Sequence, residues 1–308
     1  MTRPSESPFH EGEVAVQERT GERAMAARLE GIVQPEIVPG ARAFLAEQQA
    51  LAVATSDVHG RPWASLWLGA RGFVHTPDGR TVELDFERTL RADEDPVALT
   101  RGAPVGMLAI NLQTRKRLRI NGVVTALDAA RATIEVREAY PNCPRYIQKR
   151  EPRPSAETTS APTRRGRTFD DERRELIRRV DTVFVATQHA TRGLDASHRG
   201  GAPGFVHVLD ERTLRLPDYP GNGIFNTFGN LELDPRVGLV LVDFANQRAL
   251  SLTGRATVSF DVEEDASQPN GGTGRYWTVV VDEWVDAPLD PRVDWEPGER
   301  SAFNPGIR

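Results

Sequence analysis

Two short stretches of the chain concentrate side chains able to hold a phosphate. Ser197, His198 and Arg199 place a hydroxyl, an imidazole and a guanidinium in consecutive positions, and Gly200 and Gly201 follow, where missing side chains let a ligand approach the backbone. A phosphate monoester carries nearly two negative charges, so it calls for a charge-assisted guanidinium contact together with neutral donors. Further along, Asn222, Asn226, Thr227 and Asn230 form a second dense polar group, spaced for a turn and one short helix. The same residues could build only a tight turn and a helix cap. Arg255 follows Gly254 in an apolar strand pattern, with the reach either to join such a site or to sit at the surface.

Other reactive residue types give weaker signals. Cys143 is the single cysteine, which rules out an intramolecular disulfide and a cysteine-based zinc site. It lies in a compact Asn142-Cys143-Pro144 turn with no partner thiol and no adjacent base, and reads as a buried structural thiol. His75 and His207 sit in apolar strand patterns and read as strand histidines rather than ligands. No Ser-His-Asp order and no phosphate loop of the GxxxxGK[ST] type is present, so no catalytic acid, base or metal ligand is assigned.

The elements that must position these residues occur twice. Val53, Ala54 and Thr55 match Val185, Ala186 and Thr187, and Gly72, Phe73, Val74 and His75 match Gly204, Phe205, Val206 and His207. Gly122 matches Gly254 in the same register, an offset of 132 residues. Each copy opens with a helical pattern, residues 41–49 and 170–180, with Asp170 as a plausible N-cap. Short strands then follow at 51–55 and 183–187, 72–75, 105–112, 118–126 and their partners, which predicts a small closed barrel per copy. The reading is therefore a mainly β chain with flanking helices (α+β), in two tandem barrels related by duplication. Residues 1–150 form the first copy with a helical N-terminal extension, 151–167 an exposed linker rich in Pro, Ser, Thr and Arg, and 168–308 the second copy.

Composition sets the outer limits. The 308 residues are 39% hydrophobic and 27% charged, with no apolar run near the roughly 20 residues of a membrane span. The N-terminus lacks a secretory pattern, so a cytoplasmic protein is expected. Net charge is −5 and only Lys116 and Lys149 of 39 basic residues are lysines, which argues against a nucleic-acid surface.

The stretches Asp195-Ala-Ser-His-Arg-Gly-Gly-Ala-Pro-Gly-Phe205 and Pro217-Asp-Tyr-Pro-Gly-Asn-Gly-Ile-Phe-Asn-Thr-Phe-Gly-Asn230 resemble the pyridoxamine 5′-phosphate oxidase-like family of FMN-binding split barrels, in a two-copy form. Phe9-His-Glu-Gly-Glu13, Tyr140-Pro-Asn-Cys-Pro-Arg-Tyr-Ile147 and Ser301-Ala-Phe-Asn-Pro305 extend the resemblance over nearly the whole chain. It implies an FMN held by Ser197, His198, Arg199, Asn222, Asn226, Thr227, Asn230 and Arg255. Trp63 or Trp67 and the Arg115 to Arg119 strand would then form the opposite wall, and Asn142 or Tyr146 would approach the cleft. The implied activity is FMN-dependent oxidoreduction of a small molecule by hydride transfer. The alternatives are a haem-binding or haem-processing barrel with His198 or His207 as axial ligand, and a flavin-binding module without turnover. The expected partner is a small molecule, not a nucleic acid or a membrane, and the assembly is a homodimer or an internal pseudo-dimer. At the repeat offset His198 and Arg199 become Leu66 and Trp67, which predicts one FMN per chain.

Overall fold

The computed structural model describes residues 7–90, 95–155 and 161–306. An N-terminal extension of α1 (Glu11–Arg19) and α2 (Arg23–Ala27) leads into α3 (Pro39–Ala46). The first sheet then comprises β1 (Ala50–Ser56), β2 (Pro62–Gly69), β3 (Val74–His75), β4 (Thr81–Asp85), β5 (Thr89–Leu90), β6 (Pro104–Asn111), β7 (Lys116–Leu127) and β8 (Arg131–Pro141). After β9 (Arg150–Pro154) and β10 (Arg164–Gly166), α4 (Asp171–Arg179) opens the second half. It continues through β11 (Thr182–His189), β12 (Gly193–Gly200), β13 (His207–Val208), β14 (Thr213–Pro217), α5 (Asn226–Leu233), β15 (Arg236–Asp243), β16 (Arg248–Ser259), β17 (Tyr276–Pro288) and β18 (Val293–Pro297).

The strand orders are the same in both halves. The first sheet runs β3-β4-β8-β7-β6-β1-β2-β5, and the second, read in the same direction, β13-β14-β17-β16-β15-β11-β12 with β10 added beside β17. Each is a curled path with two ends, the split barrel that the resemblance implies, where strand spacing alone suggested a closed one. Fine detail repeats at the same offset. The pairing of β7 with β8 shifts at Asn121/Gly122 and that of β16 with β17 at Thr253/Gly254, while Arg115 and Gln247 take the same left-handed conformation at φ 56° and 55°. Asp170 caps α4 by accepting from the Arg173 N–H, as its position predicts.

The barrels pack as an isologous pair around a pseudo-two-fold axis. Ser56 Oγ donates to Gln188 Oε1 at 3.1 Å, and these residues occupy equivalent positions in the two copies. Gly106 and Gly238, also equivalent, each lie against the backbone of the other barrel. A Cβ on Gly106 would stand 2.7 Å from the Asp195 carbonyl carbon, and one on Gly238 2.6 Å from the Pro62 oxygen. The apolar layer between the barrels contains Ala52, Ala54, Ala64, Ala186 and Ala196, small residues that permit this approach. Each barrel has its own core, one around Trp277 and Phe228 and the other around Trp67 and Phe73.

The segment expected to be a linker contributes two strands. β9 pairs with β18 in a separate two-stranded sheet and β10 joins the second barrel's sheet beside β17, through backbone hydrogen bonds, which need no apolar side chains. Residues 156–160 of that segment lie outside the described residues. Among the described residues no helix is long and apolar enough to cross a membrane.

Candidate functional site

A cleft of about 870 Å³, measured out to its open mouth, lies where β12 of the second barrel meets β7 of the first. β12 brings Ser197, His198 and Arg199, and β7 brings Arg117 and Arg119. The segment after β8 adds Asn142, Cys143, Arg145 and Tyr146, and the approach to α5 adds Asn222, Phe225, Asn226 and Thr227. Two lining residues, Tyr146 at φ 62° and Phe225 at φ 64°, hold the left-handed backbone conformation that non-glycine residues rarely adopt. Tyr146 is held there from several sides. Its hydroxyl donates to the Pro220 carbonyl at 2.8 Å, its ring lies 4.8 Å from that of Tyr219, and its carbonyl presses so close to β12 that a Cβ on Gly200 would stand 2.0 Å away.

Electrostatically the cleft carries uncompensated positive charge. Arg275 on the same wall is balanced, with Nε 2.8 Å from Asp218 and Nη1 3.2 Å from Glu22. Arg119 is balanced too, since it pairs with Asp195 at 3.2 Å and also donates to Tyr140 and Ser197. Arg117 and Arg199 differ. Arg117 Nε donates to the Cys143 carbonyl at 2.9 Å and Arg199 Nη1 to the His198 carbonyl at 3.3 Å, and among the described residues neither meets a carboxylate. Burial, then the neighbouring Arg119 and Arg199, press Arg117 down to about 9, and burial likewise lowers Arg199. Beside them His198 is buried, with no partner for either ring nitrogen. Burial, reinforced by Arg117 and Arg199, pushes it well below its ordinary value, so it is neutral.

Most of the residues expected at the site come together. Ser197, His198, Arg199, Asn222, Asn226 and Thr227 line the cleft, as do Asn142 and Tyr146. Asn230 and Arg255 do not. Asn230 lies one turn further along α5, fully buried, and donates to Thr187 and Asp195 at 3.0 and 2.7 Å, while Arg255 is exposed on β16. The Arg115 to Arg119 strand forms part of the opposite wall through Arg117 and Arg119, but Trp63 and Trp67 are buried in the first core, their indole N–H groups donating to Asp57 and Asp95. His207 lies outside the cleft lining on β13, and His75 pairs with Glu83 at 3.4 Å. Cys143, read as a buried thiol, is half-buried on the cleft wall.

A polar network behind the cleft ties in the N-terminal extension. His10 caps α1 through a capping box in which Glu13 accepts from the His10 backbone N–H at 2.9 Å. The other Glu13 oxygen accepts from Asn226 at the mouth of α5. His10 and His189 face each other at 4.3 Å beside Glu11, which suggests a metal cluster, but both Nδ1 atoms accept backbone N–H bonds. With Nδ1 of each ring already accepting, the proton lies on Nε2, and no lone pair is offered to an ion.

Burial, then the Asp195 charge, raises Glu13 to about 8, while burial, then His189, lowers His10 to about 4. A carboxyl whose folded value lies above its unfolded 4.5 makes the fold lose stability as pH rises from 4.5 to 8. A histidine lowered from 6.5 opposes that slope only below 6.5. The unopposed interval, pH 6.5 to 8, should therefore lower the unfolding free energy by about 2 kcal/mol at about 1.4 kcal/mol per unit. Urea unfolding of wild type and Glu13→Gln at both pH values checks this. The drop should vanish in the variant, and an equal drop in both would refute the assignment.

Two curled sheets of this order, each entered by a helix, define a split-barrel protein. Residues 169–282, within the second barrel, match the family model for pyridoxamine 5′-phosphate oxidase. Similar solved structures include a putative pyridoxamine 5′-phosphate oxidase from Lactobacillus delbrueckii, with 18% identity, covering 39% of this chain and 94% of that one at TM-score 0.31. Another is HupZ of Group A Streptococcus, with 16% identity, 44% and 98% coverage and TM-score 0.29. General stress protein 26 of Bacillus anthracis shows 13% identity, 39% and 92% coverage and TM-score 0.27. No curated protein matches the chain.

Proposed function

We propose that the cleft binds FMN, one per chain, and that the protein is an FMN-dependent oxidoreductase acting on a small molecule. The observation that carries this reading is the pair Arg117 and Arg199, brought together from different barrels with neutral His198 beside them and no carboxylate partner among the described residues. A guanidinium withdrawn from water without an anion is costly, and two side by side also repel each other. A phosphate monoester would resolve both problems and take a hydrogen bond from His198. The first turn of α5 adds backbone N–H groups, because its N-cap Phe225 offers no side-chain acceptor.

Bound FMN would supply hydride transfer at its ring system. The residues of this chain would hold the phosphate with Arg117, Arg199 and His198, line the ring's surroundings with Tyr146, Tyr219 and Phe225, and keep donors fixed nearby. Duplication accounts for the asymmetry, since a fused pair supplies both walls of one cleft from a single chain.

The absorption spectrum of freshly purified protein tests the reading. The two-band spectrum of oxidised flavin, with FMN released on denaturation, is expected. A dominant Soret band would favour the haem alternative and His198 as its ligand, and a colourless protein that fails to take up added FMN would contradict the proposal. Flavin binding without turnover of any substrate would leave a binding module.

A further inference from the structure

Cys143 is a nucleophile on the cleft wall that has no part in holding a phosphate. It is half-buried and, as the only cysteine among 308 residues, has no thiol within the chain to pair with. Arg117 Nε is held against its carbonyl at 2.9 Å, which keeps that guanidinium beside it. Arg145 lines the same wall two residues on. It stacks over the Phe303 ring at 4.9 Å and donates to the Pro220 carbonyl at 3.4 Å, with no carboxylate partner among the described residues. Independently, His198 on the same cleft is 4% exposed with both ring nitrogens unpartnered, a polar group that awaits a ligand. The thiol therefore borders a space whose charge selects anions.

We propose that Cys143 is an anion-selected modification site, exchanging with low-molecular-weight disulfides that carry carboxylates. The thiolate sulfur attacks one sulfur of the reagent, a new S–S bond forms to Cys143, and the reagent's own S–S bond breaks to release one thiolate. Cys143 is oxidised to the disulfide level, the departing sulfur is reduced, and the thiol proton goes to solvent. Arg117, Arg145 and Arg199 concentrate the anionic reagent at the sulfur. The adduct then occupies the cleft, so modification and binding of a phosphate ligand exclude each other. This inference rests on the cleft being an anion site and not on the ligand being a flavin.

The native chain is treated in parallel with a dianionic bis-nitrobenzoate disulfide and a neutral dipyridyl disulfide, with the urea-unfolded chain as the reference for intrinsic reactivity. The native protein should favour the dianion over the neutral reagent by about ten-fold or more relative to the unfolded chain, with one adduct per chain by intact mass. Arg145→Ala should lower that preference. Arg71→Ala, which removes an exposed arginine paired with Glu47, should leave it unchanged. Inorganic phosphate should slow the dianion more than chloride at equal ionic strength. A native preference no greater than that of the unfolded chain would overturn the proposal, as would a preference indifferent to Arg145→Ala and to phosphate. Suppression by phosphate with none by FMN would sustain it while contradicting the flavin reading. FMN binding without anionic preference would overturn this proposal alone.

Discussion

Arg199→Ala should weaken FMN binding about ten-fold or more, and Arg117→Ala should do the same from the other barrel. Each removes a hydrogen bond to a charged group, worth about 1.5 to 3 kcal/mol, where about 1.4 kcal/mol is a factor of ten. The two effects should not multiply fully in the double variant, because the guanidiniums repel each other whenever no anion lies between them. The same repulsion makes a second expectation. Either single substitution should leave the ligand-free protein at least as stable as wild type, whereas loss of a structural arginine would destabilise it. Riboflavin, which lacks the phosphate, should bind all of these proteins alike, and Arg71→Ala should change nothing. Fluorescence titration with FMN and riboflavin checks the set, and equal FMN affinity in wild type and Arg199→Ala would show that the phosphate cradle is misplaced.

The repeat was legible in the sequence because the residues that recur at one offset meet geometric demands. Gly122 and Gly254 sit where two strands shift register, and the Ser197 to Arg199 and Asn222 to Thr227 stretches converge because β12 and the start of α5 border one cleft. The limits have equally physical causes. Arg117 and Arg119 alternate with apolar Leu118 and Ile120, a pattern that fits a solvent-facing strand edge equally well, and it was the resemblance that set this strand opposite the second barrel, where both arginines line the cleft. Asn230 shares a helix face with Asn226, but one turn displaces it into the buried network around Asp195. In β2 every residue is buried, so alternation could not tell that Trp63 and Trp67 face the core rather than the cleft. β9 and β10 were unreadable because backbone pairing leaves no apolar pattern. Glu13 carried a usable signal, as an acid three residues after a capping position at His10, although its burial against α5 is a tertiary fact.

Stoichiometry carries the largest consequence of the asymmetry. The pseudo-two-fold axis generates a second cleft, between β2 and β16, lined by Ser65, Leu66, Leu68, Asp95, Ala249 and Ser251. Among the described residues, position by position, its cations are replaced. Arg117 is replaced by Ala249, Arg119 by Ser251, His198 by Leu66 and Arg199 by Trp67, whose ring is buried in the first core. Asp95 stands at the place of Thr227 and accepts from Ser65 at 2.8 Å, where Thr227 meets Ser197 at 3.1 Å, so an acidic side chain has replaced a hydroxyl donor there. The space is smaller as well, about 380 Å³ against 870 Å³. A phosphate placed there would be desolvated beside a carboxylate at a cost of several kcal/mol. Part of the equivalent of the α5 approach, residues 91–94, lies outside the described residues. Because Arg117, Asn142, Arg145 and Tyr146 come from the first half, residues 168–308 expressed alone should also lose most of their affinity. The decisive measurement is calorimetric titration of FMN into the intact ligand-free chain. One site per chain is predicted, with binding lost in the fragment, whereas two equivalent sites, or full affinity in residues 168–308, would contradict a single cleft built from both barrels.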